Sequence, residues 1–133
     1  MYFVELGVAE RVMFLGKVVK GVRFLKAFYY FVFPSSLEGF GLALVEAIAA
    51  KIPVIYSNIK VIQSLIINHS YQSPVGNVGL LTHKMVKADS VGYKKNEEIA
   101  LEQYSFAKNN FDLMSNMEKY RNLFSRLMLG GIE

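Results

Sequence analysis

The segment that most constrains the fold runs from residue 38 to 46, where a glutamate stands at each end of an otherwise uncharged run. Gly39 and Gly41 follow the first glutamate, an apolar stretch of strand length precedes it, and an alanine-rich stretch that favours helix follows the run. This order predicts a strand, a glycine turn and a helix. In an open parallel sheet such a turn lies at the carboxyl end of a strand, where ligands bind. Glycines allow close backbone approach, and a helix start offers free N–H groups to an anion.

Glu46 is the only ionisable residue between positions 39 and 50. A helix that is apolar on every face is typical of a buried helix, and a buried carboxylate is costly unless it is hydrogen-bonded. Glu38 precedes the helix and Glu46 lies more than one turn into it, yet both can face one crevice above the strand ends. The alternative is that Glu46 reaches solvent and Glu38 is a turn residue, as glutamates commonly are. The glycine turn and the apolar helix favour the binding site.

Apolar runs and turn signals alternate along the rest of the chain. They predict strands at residues 12–15, 30–33, 54–56 and 78–81, helices at 18–28, 41–50, 60–67, 96–109 and 113–127, and polar loops at 68–77 and 84–95. Strands that alternate with helices predict an α/β fold with a parallel sheet of about four strands. No internal repeat or second domain boundary is evident, so a single domain over residues 1–133 is expected.

The composition supports a folded core, because 53% of the residues are hydrophobic and 20% are charged. The absence of cysteine excludes disulfides and thiolate metal sites. His69 and His83 stand in no metal-ligand pattern, so neither a metal nor another cofactor is expected. No apolar run approaches the roughly 20 residues of a membrane span. The N-terminal residues lack a signal-peptide pattern, which predicts a cytoplasmic location.

Four basic residues, Lys17, Lys20, Arg23 and Lys26, recur at steps of three over a predicted helix, in a chain whose net charge is +4. Such a run usually forms a solvated helix face. The alternative is attraction to a nucleotide diphosphate, or a peripheral contact with anionic lipids at the inner face of the membrane. No nucleic-acid-binding motif accompanies the charge, so nucleic acid is not an expected partner.

Glu38 and Glu46, with seven residues between them and Gly-Phe-Gly after the first, resemble the E-x7-E motif of retaining glycosyltransferases. The family in question is glycosyltransferase group 1, also called family 4. Four further landmarks stand in the family's order: Val-Met-Phe-Leu-Gly at 12–16, Pro-Ser at 34–35, Ile-Pro-Val-Ile at 52–55 and Gly-Leu-Leu at 79–81. The resemblance covers roughly residues 5–82 well and the C-terminal helices more loosely.

The resemblance implies a partial Rossmann-like domain, the C-terminal donor-binding part of a GT-B fold in which two such domains face each other across a cleft. It implies a nucleotide-diphosphate sugar as donor substrate, without a metal or cofactor and with no catalytic residue assigned. Donor-sugar and diphosphate binding would fall to five consecutive residues, Glu38, Gly39, Phe40, Gly41 and Leu42. Glu46 would hydrogen-bond the ribose, and Leu15 and Gly16 would lie near the base.

Two parts of the family's pattern have no counterpart among the 133 residues: the acceptor-binding domain, and the strand–helix units that carry an Arg and a Lys for the diphosphate. The expectation is a C-terminal fragment that transfers a hexosyl unit to a glycan or lipid-linked acceptor only when combined with an N-terminal half. Uncovered apolar faces and an open sheet edge then predict self-association or dependence on that half.

Two alternatives to this assignment stay open. The chain could be a non-catalytic binding or interaction fragment of a degenerate glycosyltransferase. It could also come from a related GT-B enzyme, either a glycogen-phosphorylase-like protein or a nucleotide-sugar epimerase. The Gly-Phe-Gly sequence after Glu38 argues against the epimerase.

Overall fold

The computed structural model describes residues 5–128 and shows a parallel sheet flanked by helices. The strands are β1 (Phe31–Phe33), β2 (Val54–Ser57) and β3 (Gln72–Ser73), in the order β1-β2-β3. Val32 pairs with Ile55, and Tyr56 pairs with Gln72. The predicted α/β class is therefore confirmed, with three strands rather than about four in the part of the chain that the structure describes.

Five α-helices and two 3-10 helices accompany this sheet within residues 5–128. The α-helices are α1 (Leu42–Ala49), α2 (Lys60–Gln63), α3 (Val78–Ser90), α4 (Tyr93–Phe111) and α5 (Leu113–Met128), and the 3-10 helices are Ala9–Arg11 and Gly21–Ala27. Across this described range, no helix combines the length and the hydropathy that crossing a bilayer requires.

The core has two parts, one on each face of the sheet, because successive side chains of a strand point to opposite faces. Val54 and Tyr56 of β2 belong to the cluster on the α1 face, whereas Ile55 belongs to the other. Helix α4 contributes to both clusters through Ile99 and Ala107. All four residues of β2 are buried, so this strand is the centre of the described fold.

Two buried amides fix α4 against the rest of the molecule. Gln103 accepts a hydrogen bond from the Ile67 N–H at 3.1 Å and donates one to the Leu65 carbonyl at 2.7 Å. Asn96 accepts from the Tyr71 hydroxyl at 2.5 Å and donates to the Ala88 carbonyl at 2.7 Å. Because buried polar groups are costly when unpaired, these bonds specify how α4 packs.

The predicted N-terminal strand and helix are wrong. Residues 12–15 form no strand, and the predicted helix over 18–28 is reduced to the 3-10 helix Gly21–Ala27. In the described part of the chain no strand lies beside residues 12–15, and a segment without a neighbouring strand is not stable as a strand.

The predicted strand at 78–81 is also wrong, because these residues are the first turn of α3. The Asn77 side chain caps that turn by accepting a hydrogen bond from the Leu80 N–H at 2.9 Å, and this cap explains the helix. The third strand, β3, lies instead in the predicted polar loop at 68–77. The loop predicted at 84–95 is mostly α3 and α4, and α2 is shorter than the helix predicted at 60–67. The two last helices are confirmed by α4 and α5.

Candidate functional site

The loop between β1 and α1 lies at the carboxyl edge of the sheet. Because the three strands are parallel, residues that follow β1, β2 and β3 meet at this edge. The Asn58 N–H after β2 donates to the Ser73 carbonyl of β3 at 2.8 Å, and Ser57 and Ser73 are buried. The segment with the two glutamates thus starts where open α/β sheets bind ligands.

Glu38 is half-buried in this loop, and its carboxylate is held by Ser35. The Ser35 Oγ donates to Glu38 Oε1 at 2.9 Å and also lies 3.1 Å from the Leu37 carbonyl. A hydrogen bond to a carboxylate restricts its orientation while leaving its other lone pairs available to a ligand. Ser35 therefore positions Glu38, a role that the Pro-Ser landmark in the sequence did not reveal.

Gly41 connects this loop to α1 in a left-handed conformation, with φ of +78°. A Cβ at this position would lie 3.6 Å from Ile62 Cδ1, an ordinary contact, so the backbone angle rather than the space requires glycine. The Leu44 and Val45 N–H groups both bond the Gly41 carbonyl, and no side chain caps the start of α1. The first helical N–H groups are thus available to an anionic ligand.

Glu46 is exposed on α1, so the prediction that this helix is buried on every face is wrong. Its buried face carries Leu44, Ala47 and Ile48, whereas Leu42 on the Glu46 side is 67% exposed. The helix is apolar on both sides, but the core clusters contact only one of them. By the helical rise, Glu46 lies about 6 Å along the axis from Leu42, within reach of a ligand that extends from the glycine turn.

The remaining predicted site residues lie in exposed segments. Gly39 has open space where a Cβ would be, and Phe40 is exposed beside it. Leu15 is 62% exposed and Gly16 follows it with φ of +62°, in the segment that forms no strand. The position of Leu15 and Gly16 beside a nucleotide base therefore stays a prediction.

Asn58 and Gln63 form a further polar pair that the sequence patterns did not single out. The Gln63 side-chain amide donates to the Asn58 side-chain carbonyl, directly after β2. Both residues are exposed and follow the carboxyl end of a strand next to β1. The two polar residues that follow the predicted strand at 54–56, Ser57 and Asn58, were the signal that could have identified Asn58.

Two cavities lie away from the carboxyl-edge loop. One of about 570 Å³ lies at the amino ends of β1 and β2, and one of about 290 Å³ lies between α1 and α4. Neither is lined by Glu38 or Glu46. Because open α/β sheets bind their ligands at the carboxyl ends of the strands, the β1–α1 loop remains the candidate for the principal site.

A parallel sheet with flanking helices, and a glycine turn leading into an uncapped helix at its carboxyl edge, define this chain as a partial Rossmann-like domain. The sequence model of the family described as glycosyl transferases group 1 matches residues 3–100. The chain belongs to this family. The match confirms the family resemblance, and it includes β1, β2, α1 and both glutamates.

The chain is also similar to two proteins of Escherichia coli, each described as "O-antigen biosynthesis glycosyltransferase WclY". Each is 28% identical over 120 residues, which is 89% of this chain and 32% of the relative. The chain therefore spans about a third of the length of these curated relatives. The stereochemical course and the roles of single residues stay predictions.

Proposed function

We propose that this chain is the donor-binding part of a retaining glycosyltransferase that uses a nucleotide-diphosphate sugar. The observation that carries the proposal is the family match across the β1–loop–α1 unit, in which Ser35 holds Glu38 at the carboxyl edge of the sheet. The reaction would transfer a hexosyl unit to a hydroxyl of a glycan or lipid-linked acceptor. The relatives' description, which refers to O-antigen biosynthesis, supports an acceptor of this class.

The proposed roles follow from the chemistry of each group. The Glu38 carboxylate accepts hydrogen bonds from donor-sugar hydroxyls, and the exposed Glu46 carboxylate accepts them from the ribose. The backbone N–H groups from Gly39 to Leu42 point toward the sugar and the diphosphate, where the α1 dipole favours negative charge. During transfer the bond from the anomeric carbon to the diphosphate breaks, and a bond to the acceptor oxygen forms. The site contributes positioning and stabilisation of the leaving diphosphate.

A second protein half would complete the site. Leu37 is 86% exposed in the loop that carries Glu38, and Phe40 and Leu42 are exposed beside it. β1 pairs only with β2 among the described strands, so its other edge is open to a further strand. We therefore propose that activity needs an N-terminal half, that the chain self-associates without one, and that the assembly works in the cytoplasm at the inner face of the membrane.

The two glutamates give the most direct test. The chain is joined to an N-terminal half, and calorimetric titration compares a bare nucleoside diphosphate with the corresponding nucleotide sugar. Glu46→Gln should weaken the binding of both ligands by about 1.5–3 kcal/mol, because the charge-assisted hydrogen bond to the ribose is weakened. Glu38→Gln should weaken the binding of the nucleotide sugar only, since the Glu38 carboxylate bonds the sugar.

The exposed Glu118 of α5 provides a matched control, because Glu118→Gln changes the same chemical group far along the chain. That control should leave both affinities unchanged. Equal losses for both ligands in the Glu38 and Glu46 variants would contradict the separate roles. Unchanged affinities in both would mean that the two carboxylates merely face solvent.

The isolated 133-residue chain should bind without turnover. The chain spans about a third of the length of its curated relatives, so we propose that the acceptor and part of the diphosphate are held by groups outside these 133 residues, and positioning accounts for a large part of such catalysis. Release of nucleoside diphosphate from nucleotide sugars in the presence of a glycan acceptor is the measurement. Transfer by the chain alone would contradict the need for a second half, whereas binding without transfer even in the joined protein would favour the non-catalytic alternative.

A further inference from the structure

The cavity of about 570 Å³ lies at the amino ends of β1 and β2, opposite the edge that carries Glu38. Its walls come from the end of the 3-10 helix Gly21–Ala27, the turn after α1, the end of α3 and the first half of α4. This volume falls within the range of small-molecule sites. The proposed donor site makes no use of it.

Aromatic side chains form one part of the lining. Four of them face the cavity, three from the connection before β1 and one from the start of α4: Phe28, Tyr29, Tyr30 and Tyr93. Tyr29 is 76% exposed and Tyr93 is 68% exposed, so their rings are accessible rather than part of the core. An accessible ring offers a flat apolar face against which the C–H face of a sugar can pack, and its hydroxyl offers a hydrogen bond.

Charged side chains form the other part, and their charges cancel. Lys26 and Lys51 line the cavity together with Asp89 and Glu97, two positive groups against two negative ones. With two positive and two negative side chains, the lining carries no net charge and does not attract a polyanion through its side chains. Ammonium groups donate hydrogen bonds and carboxylates accept them, so the set matches a neutral ligand that carries several hydroxyls.

Lys51 occupies a backbone position that ordinarily favours glycine. It follows the end of α1 with φ of +60°, where the Lys51 N–H bonds the Ile48 carbonyl and the Ile52 N–H bonds the Ala47 carbonyl. This bonding pattern is the Schellman motif, whose left-handed residue is usually glycine. The Lys51 ammonium lies 4.6 Å from the Tyr104 ring centroid, and the residue also lines the cavity. A lysine in a strained left-handed backbone conformation beside a cavity is a candidate for a binding role.

We propose that this cavity binds a neutral sugar residue, with Tyr29 and Tyr93 packing on its ring and Lys51 and Glu97 hydrogen-bonding its hydroxyls. The site is separate from the proposed donor site because it lies at the other end of the strands. It would hold a second residue of a glycan rather than the sugar that is transferred. That a sugar binds here rests on the lining of the cavity alone, whereas its assignment to a second residue of a glycan rests on the proposed glycosyl transfer.

Saturation-transfer difference NMR on the purified 133-residue chain tests this, with the methyl glycosides of glucose, galactose, mannose and N-acetylglucosamine as probes. At least one glycoside should receive saturation from the protein. Tyr93→Ala should reduce that signal severalfold, because one packing face is lost. Tyr120→Ala is the matched control, since Tyr120 is a similarly exposed tyrosine on α5 that does not line the cavity.

Lys51→Gly provides a second variant, which should weaken glycoside binding without lowering the stability of the protein. Glycine suits the left-handed backbone, so the thermal unfolding midpoint should stay equal or rise, while the glycoside signal falls. Binding of a bare nucleoside diphosphate should be the same in both cavity variants as in the unchanged chain. This separates failure of the cavity proposal from failure of the proposed donor site.

Three results would overturn the inference. The first is that none of the four glycosides receives saturation from the unchanged chain. The second is that Tyr93→Ala and Tyr120→Ala give the same signal, which would place the sugar elsewhere. The third is that Lys51→Gly weakens the binding of the nucleoside diphosphate, which would make the cavity a nucleotide site.

Discussion

Residues 5–29 and the sheet-forming region from β1 to α4 carry similar sequence signals but reach different states. Residues 12–15 and β2 are both short apolar runs that precede a helical pattern. Every residue of β2 is buried, whereas none of residues 5–29 is buried. The segment 5–29 contacts the core through Leu25, which packs beside the cluster on the α1 face.

The difference between these two regions shows that an apolar run becomes a strand only when other strands flank it. β2 has β1 on one side and β3 on the other, and helices cover both of its faces. Residues 12–15 are also apolar, but no strand lies beside them in the described part of the chain. Strand stability comes from neighbours in the sheet and from packing on its faces, and only weakly from the residues themselves.

The largest expected effect on stability comes from shortening one leucine in each region, which tests the comparison directly. Leu44→Ala removes a fully buried side chain and should lower the free energy of unfolding by about 2–5 kcal/mol. Leu15→Ala removes an exposed one and should change it by less than about 0.5 kcal/mol. Urea denaturation followed by circular dichroism measures both. A loss of similar size for Leu15→Ala would mean that residues 5–29 belong to the cooperative core.

Long-range pairing limited how much of the fold could be predicted from the sequence. β1, α1 and β2 were predicted nearly to the residue, because each is a strongly apolar segment bounded by Gly or Pro. β3 carries no apolar signal, since Gln72 and Ser73 join the sheet through backbone pairing with Tyr56 and Ser57. The apolar residues at 78–81 predicted a strand, but the Asn77 side chain caps this segment and stabilises it as the start of a helix.

The candidate site shows the same limit. The glycine turn and its place at the carboxyl edge of β1 followed from the order of strand, glycines and helix. The Ser35–Glu38 bond and the Asn58–Gln63 pair depend on side-chain positions that no periodicity encodes. The exposure of Glu46 depends on what packs against α1, and the apolar pattern of α1 alone predicted burial on every face.

Two glycines with left-handed backbones, one in each region, give a second test with a smaller expected effect on stability. Gly41 and Gly16 have φ of +78° and +62°, so alanine is strained at both positions. Gly41 joins β1 to α1 inside the packed region, and Gly41→Ala should lower the free energy of unfolding by about 1 kcal/mol. Gly16→Ala should leave the unfolding midpoint unchanged, because relaxation of residues 5–29 relieves the strain. Equal losses in urea denaturation would contradict the assignment of Gly16 to a region outside the cooperative unit.

An effect of similar size concerns Tyr56, which is fully buried and whose hydroxyl lies 2.7 Å from His69 Nδ1. Burial raises the pKa of Tyr56 above its ordinary value of 10.0. The folded state therefore holds this proton more tightly than the unfolded state, so the associated stability is fully present below pH 10.0 and is lost as the pH rises further. Tyr30 and Tyr71 have pKa values raised by burial as well, and they add to the loss in the same direction.

Tyr56→Phe should cost about 0.5–1.5 kcal/mol at neutral pH, because the ring remains and one hydrogen bond is removed. Above pH 10.0 the variant should lose stability less steeply than the unchanged protein, without becoming independent of pH, since Tyr30 and Tyr71 remain. Tyr29→Phe changes an exposed tyrosine of the N-terminal region and should shift the free energy of unfolding by less than about 0.5 kcal/mol. Urea denaturation across alkaline pH measures all three proteins. Parallel pH profiles for Tyr56→Phe and the unchanged chain would show that Tyr56 ionises as readily folded as unfolded, and would contradict the central position assigned to β2.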